Sequence, residues 1–306
     1  MNDYTKAFEL LEQTGISTAN SKQLSEKDIA TKSCTILPFE VIIQRYAVGS
    51  YLKRHPEFLK EEGELPHRFH RACIEFFMNN KNNSTPLGKD ECSQFLPQGV
   101  EWKQMEEFSR KTFLVLESAW NNLGHRLIEI KIELGVTEEG ELVVTDIVNN
   151  NEEQMQSVPQ FRIPKQALVF WRGSESDKLP EVPDIAGLHI ERPVISAHKK
   201  PTIAVEELER IHTVYPEGGV IIALVGMSNG LGPTLSARTD WPVISVCTTA
   251  DTHPEDVWSN LRMPSEVPNL TVLSAKNAVL AAFNILGEKN PAIYAHRRMA
   301  IEALDK

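Results

Sequence analysis

Residues 219–233 read GVIIALVGMSNGLGP, seven uncharged residues rich in Val and Ile that break abruptly into a glycine-rich loop. So short a β-branched run fits a strand covered on both faces, the usual state of a parallel sheet. Three more runs share its character: QALVFW (166–171), RPVIS (192–196) and WPVISV (241–246). Helical patterns lie between and after them, TIAVEELERIHTVY (202–215) and NAVLAAFNILG (277–287). Such alternation predicts a parallel α/β sheet.

The first half reads differently, as mixed α+β. TKAFELLEQTG (5–15) is a short helix stopped by Gly15, and TILPFEVIIQRYAVGSYLKR (35–54) reads as a strand running into a turn at Gly49-Ser50. Residues 78–99, rich in Asn, Pro and Gly, make a loop. WKQMEEFSRKTFLVLESAWNNLG (102–124) places Met105, Phe108, Val115, Leu116 and Trp120 on one helical face. RLIEIKIELGV (126–136) alternates with period two and returns through Glu138–Gly140 as ELVVTDIV (141–148), a hairpin. The polar, twice proline-interrupted NNNEEQMQSVPQFRIP (149–164) marks a boundary, giving domains over 1–155 and 165–306.

Composition narrows the function classes. With 41% hydrophobic and 24% charged residues over 306 positions, the chain is a folded, soluble globular protein long enough for two domains. Its 32 basic against 42 acidic residues give a net charge of −10, and no basic block offers the footprint of a nucleic-acid binder. No run reaches membrane-spanning length and the first residues lack a signal peptide's apolar core, so a cytoplasmic protein with no membrane partner is expected. The scattered Cys34, Cys73, Cys92 and Cys247 support neither paired disulfides nor a metal knuckle.

In an open parallel sheet ligands bind beyond the carboxyl ends of the strands, so the loops there are the candidates. After QALVFW, Gly173, Ser174, Ser176 and Asp177 either cap a helix or present amides and hydroxyls to a phosphate or oxyanion. After RPVIS come His198, suited to proton transfer near neutral pH, and Lys199. After GVIIALV, the glycines of Gly226, Met227, Ser228, Asn229 and Gly230 either make a tight turn or let backbone approach a ligand. Other groupings are weaker. Ser174, Asp177 and His198 suggest a hydrolase triad but lack the G-x-S-x-G elbow. His67, His70 and Cys73 lack a fourth metal ligand. The Glu129/Lys131/Glu133 face binds Mg²⁺ and an acidic substrate or is the solvated side of a hairpin, the latter favoured by pattern alone.

The strings GSESD (173–177), SAHK (196–199), SNGLGP (228–233) and DVWSNLRMPS (256–265), in that order, resemble the carboxylase domain of the animal bifunctional enzymes that join phosphoribosylaminoimidazole (AIR) carboxylase to phosphoribosylaminoimidazolesuccinocarboxamide (SAICAR) synthetase. LPFEVIIQRYAVGSYLKRHP (37–56), IEFFMNNKNN (74–83) and IEIKIELGV (128–136) resemble their synthetase domain. The resemblance implies a SAICAR-synthetase-like α+β domain lacking its ATP lobe, then a three-layer AIR-carboxylase-like domain with a parallel sheet. It implies a role in purine (IMP) synthesis: carboxylation of aminoimidazole ribonucleotide by CO₂ without ATP, biotin or metal, in an octamer-like homo-oligomer or an assembly with a full-length enzyme. By position, Gly173, Ser174, Ser176 and Asp177 would hold the phosphate and ribose. His198 and Lys199 would sit beside the imidazole, His198 moving the proton lost from the ring, and residues 226–230 would cradle CO₂ or the new carboxylate.

This chain departs from the family pattern at identifiable places. The family loop GRSNGLGP has Met227 in place of its arginine, and the segment after Asp177 is shortened, which truncates its first helix. The family's FFKDD becomes Phe76, Phe77, Met78, Asn79 and Asn80, and its DxIDND becomes Asp146, Ile147, Val148, Asn149, Asn150 and Asn151. Ser50, Arg54, Lys131, Glu133 and Asp146 persist as a vestigial synthetase site. The expectation is a lost ATP/Mg²⁺ site and no ligase activity, beside a carboxylase unit that needs no cofactor. The alternatives are a non-catalytic binding or scaffold subunit and altered chemistry on a related aminoimidazole.

Overall fold

The structure is a computed structural model that describes residues 3–23, 29–61, 63–79, 85–148, 162–175 and 178–304. The chain divides into two units, residues 1–163 with 298–306 and residues 164–297.

The first unit opens with helix α1 (Asp3–Gln13), then a two-stranded ribbon of β1 (Asn20–Gln23) and β2 (Ile29–Thr31). Strand β3 (Cys34–Tyr46) runs to helix α2 (Gly49–Arg54); β4 (Arg68–Met78) and the short helix α3 (Lys89–Ser93) precede the long helix α4 (Trp102–Asn122). The hairpin of β5 (Glu129–Thr137) and β6 (Leu142–Val148) completes an antiparallel sheet of order β4-β3-β5-β6. Its turn is closed by Gly140 at φ 85°, a left-handed conformation that glycine adopts without a Cβ penalty.

Alternation decides which sheet face is buried. Val41 and Ile43 pair with Ile132 and Ile130 on one side and with Phe76 and Ile74 on the other, and Val41, Ile43, Ile130, Ile132 and Phe76 are buried. Glu40, Gln44, Glu75, Lys131 and Glu133 fall on the opposite face. Helix α4 starts where the Gln104 side chain accepts from the Glu101 N–H at 2.9 Å and is followed by Gly124 at φ 78°. Its burial exceeds the single stripe read from the sequence: Ser109 is buried with its hydroxyl on the Met105 carbonyl at 2.8 Å, and Arg110 and Glu117 are buried where they meet an ion cluster. Two expected irregular segments hold short helices instead, α2 at Gly49-Ser50 and α3 inside the 78–99 loop.

That ion cluster closes the first unit. The Glu302 carboxylate lies 2.7 Å from Arg45, 3.0 Å from Arg298 and 3.4 Å from Arg110, while Arg45 also pairs with Glu117 at 2.7 Å. These contacts explain why residues 298–306, read from sequence as the end of the second domain, group with the first unit. Burial alone pulls the Arg45 guanidinium pKa down, but hydrogen bonds and charge from Glu117 and Glu302 outweigh it and the net shift is upward.

The second unit is a three-layer sandwich. Its strands are β7 (Gln166–Arg172), β8 (Leu188–Glu191), β9 (Gly219–Val225), β10 (Val243–Cys247) and β11 (Leu270–Thr271), all parallel, in the order β11-β10-β9-β7-β8. Its helices are α5 (Pro201–Val214), α6 (Leu231–Ser236), α7 (Trp258–Leu261) and α8 (Ala275–Leu286), and of α9 (Pro291–Glu302) it holds the part up to Arg297. One sheet face (Leu168, Phe170, Ile222, Leu224, Ile244) packs on Ala278, Ala282 and Phe283 of α8. The other (Val169, Trp171, Ile221, Ala223) packs on Ala204, Leu208 and Ile211 of α5 and Leu235 of α6. Strands buried on both faces are why these runs read as continuous rather than alternating.

One expected strand is absent. RPVIS makes a single bridge, Val194 to Arg172, and the edge strand is the earlier LHIE. Pro193 lacks the N–H a ladder needs, and its carbonyl takes the Arg172 N–H at 3.0 Å instead. The segment after Asp177 carries no helix over residues 178–187.

Candidate functional site

In the second unit β8 and β9 flank β7 on opposite sides, so the chain order reverses at β7 and leaves a crevice at the carboxyl ends of the strands. A cleft of about 560 Å³ occupies that position. Its walls come from the ends of β7 (Gly173, Ser174), of β9 (Gly226, Met227, Ser228) and of β10 (Thr248, Thr249), and from the turn Ser196–Lys199.

His198 is held without a strand of its own. Trp171 Nε1 donates to the Ile195 carbonyl at 3.0 Å and the Ile195 N–H to the Arg172 carbonyl at 2.9 Å, tying the segment to β7 just before the turn. The imidazole then lies against the backbone of Gly230. A Cβ at that glycine would fall 2.6 Å from both Cδ2 and Cε1 of His198, and closer still to Nε2. Since Gly230 has φ −89°, its glycine is required by the ring and not by its own backbone.

The loop after β9 is fixed from beneath. Asn229 is buried; its Nδ2 donates to Ser245 Oγ at 3.0 Å and its Oδ1 accepts the Gly232 N–H at 2.8 Å. Ser245 Oγ passes the chain on to Asn269 Oδ1 at 2.8 Å. Met227 has φ 52°, a left-handed conformation rare for a side chain with a Cβ, and is 77% exposed.

Of the residues singled out from sequence, Gly173, Ser174, His198, Lys199, Gly226, Met227 and Ser228 therefore converge on one cleft. Asn229 faces inward and supports the loop, and Gly230 supports the ring. Ser176 and Asp177 lie outside the described residues, and with them the triad grouping. Ser196, Thr248 and Thr249 also line the cleft. The two threonines follow WPVISV at the carboxyl end of β10, a position that would have flagged them.

Of the persisting synthetase positions, Lys131, Glu133 and Asp146 stand on the hairpin strands β5 and β6 and Ser50 and Arg54 on helix α2, and their described partners are groups outside this set. Lys131 Nζ lies 2.6 Å from Glu40 and Arg54 Nη2 2.6 Å from Glu75, while Glu133 takes the Asn79 amide at 3.3 Å. Asp146 Oδ1 accepts the Ile147 N–H at 2.8 Å, and Ser50 is exposed in the first turn of α2. Asn80 and Asn149–Asn151 lie outside the described residues. Among those described, no three His, Cys, Asp or Glu side chains are placed to hold a metal ion. Cys73, on β4 with His70, hydrogen-bonds to Gln44 and Tyr51. All four cysteines are free. No helix among the described residues is long and apolar enough to cross a membrane.

Comparison with known proteins finds two family models in succession along the chain. Residues 4–166 match the SAICAR synthetase family model and residues 173–304 the AIR carboxylase model. The chain is 30% identical to a probable multifunctional protein ADE2 of Caenorhabditis elegans over 347 aligned positions, covering 95% of this chain and 79% of that protein. It is equally similar, at 30%, to the bifunctional phosphoribosylaminoimidazole carboxylase/phosphoribosylaminoimidazole succinocarboxamide synthetase of Rattus norvegicus (95% and 80% covered) and to that of Drosophila melanogaster (96% and 79%). An alignment of 347 positions exceeds the 306 residues available, so these relatives hold internal segments that this chain lacks. With both family models matched in order and the similarity running almost end to end, the chain belongs to the family of bifunctional AIR carboxylase/SAICAR synthetase proteins.

Proposed function

We propose that this chain acts in purine biosynthesis as an AIR carboxylase, its second unit adding CO₂ to 5-aminoimidazole ribonucleotide, and that its first unit does not perform the ATP-dependent ligation. The observation that carries the reading is the His198 imidazole set against Gly230 within a cleft whose other walls are Gly173–Ser174 and Gly226–Ser228. The electron-rich ring carbon attacks CO₂, one C–C bond forms, and the C–H proton leaves to His198, with no net oxidation and no cofactor. Gly173 and Ser174, with Ser176 and Asp177, hold the phosphate and ribose. Lys199 supplies the positive charge a phosphorylated nucleotide needs, and the 226–230 loop receives the carboxylate.

The ligase reading loses support at the sheet face of the first unit. Lys131 and Arg54 are committed to Glu40 and Glu75, and Met78, Asn79, Asn149 and Asn151 stand where the family has charged residues. A homo-oligomer is the proposed working form. It is supported by Trp258, Leu261, Leu270 and Leu273, apolar side chains about half exposed or more around α7 and β11.

The test is carboxylation of aminoimidazole ribonucleotide under CO₂ in the absence of ATP, beside a second assay for ADP release with aspartate and the carboxylated nucleotide. Turnover in the first and none in the second is expected. The reverse pattern would overturn both halves of the reading. A second reading, a binding or scaffold subunit, is favoured by Met227, whose thioether cannot pair with a carboxylate as a guanidinium would. Nucleotide binding without turnover identifies that case.

A further inference from the structure

The DVWSNLRMPS motif has no part in the chemistry described so far, yet it reaches the cleft through the backbone of the 226–230 loop. Of the five amides in that loop, three are engaged: the Gly230 N–H donates to the Ser228 carbonyl at 3.1 Å, and two others are held by side chains. The Met227 N–H donates to Thr249 Oγ1 at 3.3 Å and the Asn229 N–H to Ser259 Oγ at 3.1 Å. The N–H groups of Gly226 and Ser228, both lining the cleft, take no partner among the described residues.

Asp256 gives this arrangement a direction. A hydroxyl has one proton, and Thr249 spends its own on Asp256 Oδ2 at 2.5 Å, which leaves only lone pairs to face Met227. Ser259 likewise donates to the Asp256 backbone carbonyl at 2.7 Å, a shorter option than Met227 O at 3.4 Å, and so accepts from Asn229. Thr249 is itself fixed, since its carbonyl takes the N–H groups of Thr252 at 3.0 Å and His253 at 2.7 Å. Thr249 Cγ2 would lie 3.2 Å from a Cβ on Gly226, so the threonine side chain packs against that glycine.

The geometry points to Thr249, Asp256 and Ser259 as positioning residues that hold the amides of Met227 and Asn229, so that the N–H groups of Gly226 and Ser228 are the pair offered to a carboxylate. This rests on the functional reading above for the identity of the ligand. The staple itself does not. It also helps to hold Met227 at its positive φ.

The experiment compares wild type, Thr249→Val, Thr249→Ser and Ser259→Ala in the full chain. Amide hydrogen exchange at Met227 and Asn229 is measured without ligand, and calorimetry gives Kd for the uncarboxylated and carboxylated nucleotides. Losing one hydrogen bond predicts about tenfold faster exchange at Met227 in Thr249→Val, with recovery in Thr249→Ser. It also predicts about tenfold weaker binding of the carboxylated nucleotide, with the uncarboxylated one within about twofold. Ser259→Ala does the same at Asn229, so a poorly folded Thr249→Val leaves a second measurement. Unchanged exchange in both variants, or equal weakening of both nucleotides, overturns the proposal. Wild type binding neither nucleotide overturns the functional reading, while exchange still decides the staple.

Discussion

His198 rests on Gly230 so closely that any Cβ at residue 230 would occupy the space of the imidazole. The ring atoms nearest that Cβ are the far end of an exposed side chain, so relief is cheap in stability and costly in position.

Gly230→Ala is therefore expected to fold normally, with a melting temperature within about 2 °C of wild type, because the ring swings outward instead of straining the core. Carboxylation should fall about 100-fold, the lower range of what a displaced acid–base group costs. Thermal melts and initial rates on the same preparation check both. Retained rate would place the proton transfer on another group.

Met227→Arg addresses the position where this chain parts from its family. The side chain is 77% exposed at φ 52°, and arginine bears the same left-handed strain as methionine, so stability should hardly change. A charge-assisted hydrogen bond to the carboxylate, discounted for exposure, predicts about a tenfold rise in kcat/KM. A carboxylation rate at or below wild type would show that residue 227 does not face the reacting group.

The sequence displayed the parallel sheet and its loops because strands buried on both faces are uniformly apolar. QALVFW and GVIIALV could hardly be anything else. RPVIS looked alike but was not a strand, since Pro193 removes a ladder donor and no periodicity registers a missing N–H. The convergence of His198 with Gly226–Ser228 was legible from topology alone. The part played by Asn229 was not, because an asparagine turned inward to Ser245 reads the same as one turned outward. Glu302 was invisible for a related reason: a buried carboxylate near a chain end resembles any solvated one until Arg45, Arg110 and Arg298 are seen around it.

Glu302→Ala should destabilise the first unit by about 3–5 kcal/mol, the cost of removing the acid from a buried pair and leaving guanidinium groups uncompensated. Urea unfolding followed by hydrogen exchange in β3 and β5 reads that unit specifically. A loss under about 1 kcal/mol would mean that Glu117 alone satisfies Arg45.

Alkaline pH should weaken the same unit. Burial, with the nearby charge of Glu75, pushes the Cys73 thiol up to about 11, and burial, with Glu91 beside it, pushes Cys92 to about 11; burial also raises Tyr51, to about 12. In the folded state these groups keep protons that the unfolded chain has already released, so the unfolded state binds fewer protons above pH of about 9. Stability is thus fully present below that pH and declines as pH climbs toward about 11. Urea midpoints from pH 8 to pH 11, with Cys73→Ser expected to flatten part of the slope, test the assignment. A midpoint that rises with pH would contradict it.

The most direct measurement is incorporation of labelled CO₂ into aminoimidazole ribonucleotide, without ATP, by wild type and His198→Asn side by side. Wild type is predicted to carboxylate the nucleotide and His198→Asn to lose between about 10² and 10⁴ of that rate while still binding it. Equal rates in the two, or no incorporation by wild type, would contradict a carboxylase built around His198.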